Sequence, residues 1–330
     1  MSAAPSRPRI VVAPNAFKET FSPRQAARLI ARGLRRALPR ARLEVVPVAD
    51  GGDGTLEALR AALGGHLVSV QVTGPLGRPV RASYLRSGRT AVIEMARASG
   101  LRLVPTDRRD PLVTTTRGTG ELIAHAFAQG ARRILVGVGG SATVDGGAGA
   151  LEVLTPAIVR RVTVLCDVEN PLLGPRGAAP VFGPQKGATP EKVRILERRL
   201  RDWARELRRR TGADVSRIRH GGAAGGLSAG LAAYGARLVP GAEFILRLAG
   251  FPRPCDFVVT GEGCVDRTSL GGKAVGTVMR LSPAPVVLVC GRCELPNRTA
   301  FETGDRSAEA LVRAAERAGR WIKARLDDGR

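Results

Sequence analysis

Six carboxylates and three lysines of this chain stand in polar or glycine-rich turns, most of them at the ends of expected strands, and together they form the inventory of a phosphate-handling site. The carboxylates are Asp50, Asp53, Asp145, Asp167, Glu262 and Asp266; the lysines are Lys18, Lys186 and Lys273. Phosphoryl transfer needs a divalent cation to bridge the phosphates, cations to take up developing charge, and a carboxylate to accept the proton of the attacking hydroxyl. Acidic groups for Mg²⁺ and lysines for phosphate meet all three needs. The lysines carry extra weight because the chain has five among 52 basic residues. Where composition favours arginine so strongly, a lysine kept in a tight polar turn points to a need for a compact ammonium in place of a planar guanidinium.

The longest of these turns runs over 137–150, Gly-Val-Gly-Gly-Ser-Ala-Thr-Val-Asp-Gly-Gly-Ala-Gly-Ala, after the apolar run Ile134-Leu135-Val136 and before a helix expected over 148–154. Glycines let the backbone fold tightly and turn N–H groups toward an anion, and the following helix N-terminus adds partial positive charge. Ser141 and Thr143 add hydroxyls, and Asp145 adds a carboxylate for a metal or a proton. Taken alone, such a turn reads as small residues packing a helix on a sheet; four further turns of the same kind favour the chemical reading. A rival reading takes Gly137-Val-Gly139-Gly-Ser-Ala142 as the dinucleotide fingerprint G-x-G-x-x-A of an NAD(P)-dependent oxidoreductase, with Asp167 as the ribose-binding acid. It leaves the other four polar turns without a purpose. A P-loop is excluded, because Ala274 follows Gly272-Lys273 and Arg267 stands where the first glycine belongs. The His-Arg-Asp and Asp-Phe-Gly signatures of protein kinases are missing too.

These turns need strands and helices to hold them. A strand over 10–14 opens into 15–20, and Ser22-Pro23 starts a helix by the cap-then-proline rule, with Ala26, Leu29, Ile30, Leu34 and Leu38 as its buried stripe. A strand over 43–48 runs into the 49–55 turn, and a helix follows to 63. Polar turns at the C-terminal ends of strands are where open α/β sheets bind ligands, so this half reads as doubly wound. Strands over 66–73, 79–85 and 90–96, joined by short turns, read as antiparallel and mark a new domain from about 64. A helix and strand then lead to the 137–150 turn, and a strand over 162–165 ends at Asp167. An amphipathic helix is predicted between 189 and 211, and another glycine turn at 221–226 follows His220, read as a structural hydrogen-bonder. The doubly wound pattern returns with a strand over 256–260, a helix from about 273, a strand over 286–289 and a last helix over 307–326.

At 330 residues and 44% hydrophobic content the chain can bury two domain cores. Its apolar runs fall far short of the ~18 residues of a membrane span, and the N-terminus lacks the apolar stretch of a secretory signal; a cytoplasmic protein is expected. Five cysteines do not make a disulfide framework. Cys290 and Cys293 form a C-x-x-C with no second pair to complete a zinc site, and all five read as small core or loop residues. The net charge of +23 raises the question of nucleic acid, but the arginines are scattered and aromatic residues are 4% of the chain, so stacking platforms are scarce. Neither a nucleic-acid nor a membrane partner is expected.

Taken in order, Ala13-Pro-Asn-Ala-Phe-Lys18, Asp50-Gly-Gly-Asp-Gly-Thr55, Thr73-Gly-Pro-Leu-Gly77, Gly118-Thr-Gly-Glu121, Gly139-Gly-Ser-Ala-Thr143 with Asp145-Gly-Gly-Ala-Gly149, Asn170-Pro-Leu-Leu-Gly174, Val181-Phe-Gly-Pro-Gln-Lys-Gly187, Gly222-Ala-Ala-Gly-Gly226 and Thr260-Gly-Glu-Gly263 with Gly272-Lys273 resemble the bacterial type I glycerate kinases. The likeness covers nearly the whole chain. It implies ATP-dependent phosphorylation of D-glycerate, usually to 2-phosphoglycerate. It also implies two α/β domains: a Rossmann/flavodoxin-like doubly wound domain from 1–63 and 250–330, and an inserted α/β domain with a mixed sheet, 64–249, with the active site in the cleft between them.

Residues and resemblance together give an expected catalytic set of Lys18, Asp50, Asp145, Glu262, Asp266 and Lys273. The nucleotide would meet Gly139, Gly140, Ser141, Thr143, Gly146, Gly147, Lys186, Gly225 and Gly226, and Mg²⁺ would meet Asp53, Asp145 and Asp167; which carboxylate is the base stays open. D-glycerate, ATP and a second copy in a homodimer are the expected partners. The chain also departs from the family. Val144 replaces the usual Asn, Cys264-Val265 replaces Arg-Ile before Asp266, a segment after Leu154 is missing, and no Pro-Met-Ser-Leu-Glu stretch follows Gly291. These departures make a weakened, nucleotide-binding relative of the kinase the second alternative beside the oxidoreductase.

Overall fold

The computed structural model describes residues 7–17, 20–46, 48–52, 54–271, 273–296 and 298–328. The chain forms two compact units, Met1–Ala49 with Ala242–Arg330, and Asp50–Gly241. Each has its own main sheet, parallel in the first and mixed in the second, and the first adds a two-stranded parallel pair, Cys264–Val265 with Arg292–Cys293, so the fold class is α/β.

In the first unit five strands pair in the order Ala300–Glu302, Val286–Cys290, Phe257–Thr260, Arg9–Val12, Arg42–Val45, every pair parallel. Numbered along the chain this is 2-1-3-4-5, the flavodoxin-type doubly wound order, with its switch point between Arg9–Val12 and Phe257–Thr260. Ile10, Val11 and Val12 are at most 1% exposed, as expected of a parallel strand covered on both faces. The helix Pro23–Ala37 starts as the sequence indicates. Ser22 Oγ accepts from Gln25 N and Gln25 Oε1 accepts from Ser22 N, a reciprocal cap. Its stripe packs against the long C-terminal helix Ala308–Asp328, burying Leu34, Leu311, Ala315 and Ile322 in one cluster.

The second unit has six strands in chain order: His66–Thr73, Pro79–Ser87, Thr90–Glu94, Arg133–Gly137, Val162–Leu165 and Arg237–Val239. The first three form an antiparallel meander and the rest continue in parallel. Motif residues hold this sheet to its helices. Glu121, on the helix Arg117–Ala128, accepts from Thr73 N at 2.7 Å and Thr73 Oγ1 at 2.9 Å.

The unit boundary precedes the one read from sequence. The helix Thr55–Leu63 belongs to the second unit, because buried Glu94 accepts from Leu56 N at 2.8 Å, tying the helix's first turn to the strand Thr90–Glu94. A carboxylate at a helix N-terminus is favoured by the helix dipole. At the other end, Ala242 and Leu246 pack into the first unit against Val11 and Val258. Two short strands, Ala300–Glu302 and Arg237–Val239, had no periodic signature at three residues each. The helix after the 137–150 turn is shorter than expected, Ala148–Leu151. No helix is long and apolar enough to cross a membrane among the described residues.

Candidate active site

In the second unit the loop after the strand Arg133–Gly137 gathers most of the expected binding residues. Lys186 ends a short 3-10 turn, Pro184–Lys186, and is 2% exposed. Its Nζ donates to Ser141 Oγ and to Thr143 O, each at 2.8 Å. Burial pushes its ammonium down to about 7, against the opposing pull of Asp145. The side chain is therefore built into the loop; it does not project from it as a free cation, the arrangement expected from its place in a polar turn.

Asp145 is likewise committed. Its Oδ2 accepts from Thr116 N at 2.8 Å, Thr116 Oγ1 at 2.7 Å and Gly149 N at 3.3 Å, and its Oδ1 accepts from Gly147 N at 3.0 Å. Burial pushes its carboxyl above the ordinary value while these donors pull the other way. Four protein donors make Asp145 the tie that fixes the loop's curvature, and they occupy the oxygens a metal would need. Thr116, which the sequence reading did not single out, is fully buried and also accepts from Ala150 N at 3.0 Å. Only its place in the run Thr114-Thr115-Thr116 hinted at a polar role. Trp203, on the helix Pro190–Thr211, closes a third side, with Nε1 donating to Gly146 O at 3.0 Å.

The two glycine turns lock together here. Gly146 N donates to Gly225 O at 3.0 Å, and Gly225, at φ +65°, sits where a Cβ would lie 1.9 Å from Thr143 O. Only glycine satisfies both the left-handed backbone and that approach. Gly226 and Gly147 continue the same tight packing, and Gly140 O accepts from Leu101 N at 2.9 Å. Gly139 serves a comparable purpose: a Cβ there would lie 2.4 Å from Gly52 Cα, and Gly139 N donates to Gly51 O at 2.9 Å. The glycines of the apparent dinucleotide fingerprint thus face the 50–52 backbone, which fills the space a pyrophosphate would need. Within that turn Asp50 Oδ1 accepts from Gly52 N at 3.1 Å. Asp167 follows the strand Val162–Leu165, partly buried.

In the first unit the loops at the C-terminal ends of four parallel strands enclose a cavity of about 620 Å³, lined by Phe17 and Phe21 on one side and by Glu262, Asp266, Lys273 and Arg292 among its polar groups. Glu262 is 8% exposed. Asp266 caps the 3-10 turn Arg267–Leu270, with Oδ1 taking bonds from Thr268 Oγ1 at 2.7 Å and Ser269 N at 3.0 Å. These donors, Thr268 first, hold its carboxyl below the ordinary carboxylate value. Lys273 Nζ in turn donates to Thr268 Oγ1 at 3.1 Å. Arg292 and Arg306 also line the cavity, and arginines so common in this chain gave no sequence signal. The N-terminal end of the helix Ala308–Asp328 opens nearby through Ser307, whose Oγ accepts from Ala310 N at 3.1 Å.

Lys18 and Asp53 lie outside the described residues. The expected metal trio of Asp53, Asp145 and Asp167 is therefore not a described cluster. Among the described residues no group of three or more His, Cys, Asp or Glu is placed to hold a metal ion. All five cysteines are free thiols, and His220 is buried with Nδ1 2.8 Å from Val168 O, a structural bond.

Comparison with known proteins matches this architecture throughout. The sequence model described as "Glycerate kinase family" matches residues 10–161 and 155–325. A glycerate kinase of Halalkalibacterium halodurans is 40% identical, over 92% of this chain and 90% of that protein. The glycerate 2-kinase of Escherichia coli is 41% identical, over 86% and 85%. A crystal structure of a protein described as glycerate kinase 2 from Salmonella typhimurium superposes with a TM-score of 0.82 at 37% identity, over 98% of this chain and 99% of that one. Sequence and fold agree over both units, and the chain belongs to the glycerate kinase family.

Proposed function

We propose that the protein transfers the γ-phosphoryl group of ATP to D-glycerate, giving 2-phosphoglycerate, in the cytoplasm. The observation that carries this reading is the identity of about two residues in five with glycerate kinases over most of both chains, joined to a cation-lined cavity in the first unit. The cavity of about 620 Å³ in the first unit lies in the size range of nucleotide pockets and far exceeds what glycerate fills. Phe17 and Phe21 offer an apolar wall for a base, and Lys273, Arg292 and Arg306 offer charge for phosphates. In the second unit Ser141, 7% exposed and bonded to Lys186, is the hydroxyl of the 138–147 loop placed to meet an anionic end of a reactant, phosphate or carboxylate.

Mg²⁺ supplies charge neutralisation at the phosphates when bound. It is commonly held by one or two carboxylates plus phosphate oxygens, with no all-protein cage. Glu262 and Asp266 fit that role, since both line the nucleotide-sized cavity and Asp266 makes its capping bonds through Oδ1. Asp145 is too fully hydrogen-bonded for it. Asp50, whose bond from Gly52 engages Oδ1, keeps Oδ2 to take the proton of the acceptor hydroxyl.

Purified protein with D-glycerate, ATP and Mg²⁺ should release ADP in a coupled assay, with NMR of the product showing phosphate on carbon 2. Nucleotide binding without ADP release would favour a weakened relative, and reduction of NAD(P)⁺ in its place would favour the oxidoreductase. The expected homodimer is tested by light scattering on the same preparation.

A further inference from the structure

We propose that Lys186 positions the Ser141 hydroxyl as the anion donor of the second unit's glycine loop, and that anion binding there is coupled to proton uptake by Lys186. The inference rests on reading that loop as an anion site. An ammonium has three donors and no acceptor. With Lys186 charged, Ser141 Oγ must accept its 2.8 Å bond, so the hydroxyl's own hydrogen is directed to another acceptor. With Lys186 neutral, its lone pair becomes the natural partner of that hydrogen, and the hydroxyl turns inward. Ser141 is 7% exposed and Lys186 2%, so bulk water does little to blunt the exchange.

A second observation points to a missing ligand. Thr143 Oγ1, on the same loop, is fully buried and has no hydrogen-bond partner among the described residues. A buried hydroxyl left unsatisfied costs about 1–3 kcal/mol and is rare unless a ligand or water completes it.

The charged groups on elements around Lys186 are few. Asp145 lies on the loop itself; Arg109 and Asp110 belong to the segment against which Gly187 packs; Lys192, on the following helix, is paired with Asp110 at 2.8 Å. Of these, Asp145 acts on the Lys186 ammonium, which burial holds at about 7. An anion on the loop adds negative charge in a low-dielectric setting and raises that value. Affinity is then full below about 7 and falls as pH rises above it, by at most tenfold per pH unit, until the bound form also loses its proton.

Calorimetric titration in buffers of differing ionisation enthalpy tests this, with D-glycerate and Mg-ADP as separate probes of the carboxylate and phosphate sources. The wild-type protein should take up part of a proton, approaching one near pH 8, with whichever probe occupies the loop. Lys186→Met should take up none beyond the nucleotide's own phosphate contribution and should bind that probe about tenfold more weakly near pH 6, with a flat pH dependence. Lys323→Met, at an exposed position of the C-terminal helix, should match the wild type. Equal uptake in wild type and Lys186→Met for both probes overturns the coupling. Should Lys186→Met fail to fold, a wild-type affinity for both probes that is flat from pH 6 to 9 overturns it equally. Absence of any binding heat would instead remove the anion-site reading together with the inference.

Discussion

Replacing Thr116 by Val tests whether Asp145 ties the loop or acts as a reacting group. The substitution is nearly isosteric and touches no proposed reactant. It removes the 2.7 Å bond from Thr116 Oγ1 to Asp145 Oδ2, and it strands Ala150 N–H, which donates 3.0 Å to the same hydroxyl. A hydrogen bond to a charged group contributes about 1.5–3 kcal/mol, and a buried N–H left unpaired costs about 1–3 kcal/mol. The added methyl returns roughly 0.8 kcal/mol at most. The expected net loss is about 3 kcal/mol, which at a urea slope near 3 kcal/mol per M lowers the unfolding midpoint by about 1 M. Of the two tryptophans, Trp203 belongs to the second unit and Trp321 to the first. Fluorescence in a Trp321→Phe background therefore reports the unit in question. Pairing Thr116→Val with Asp145→Ala in a double-mutant cycle should give a coupling above about 1.5 kcal/mol. A loss under about 1 kcal/mol and a coupling near zero would refute the tie and return Asp145 to the candidates for base or metal ligand.

Three further outcomes follow from the same geometry. Gly225→Ala, which places a Cβ 1.9 Å from Thr143 O at φ +65°, should abolish turnover or soluble expression, whereas Gly212→Ala, at φ +78° with open space around it, should cost only about 1–2 kcal/mol in urea unfolding. Lys273→Ala should raise the KM for ATP about tenfold by removing a cation from the first unit's cavity, and Lys273→Arg should not restore it. Duplex DNA should show no binding at ~0.15 M salt in a fluorescence anisotropy titration, because exposed arginines such as Arg209 and Arg210 are paired with Glu206 on their own helix.

Most of the element order, the doubly wound character of the chain ends and the turns that carry chemistry were legible in the sequence alone. Hydrophobic runs such as Ile10-Val11-Val12, the Ser22-Pro23 cap and the glycine clusters are local signals, set by backbone sterics and periodicity within a few residues. Ordered motifs extended this to the family. Tertiary structure decided what each motif residue does. Gly139 and Gly225 looked like ligand contacts but make room for another stretch of backbone, because a Cβ at either would lie within 2.4 Å of atoms far away in the chain. Lys186 and Asp145 share glycine turns with exposed-looking polar residues, yet burial turns both into parts of the loop's own frame. Glu94, without a motif of its own, moves the helix Thr55–Leu63 into the second unit. Hydrogen-bond saturation and burial are properties of groups brought together from distant positions, so no spacing along the chain encodes them.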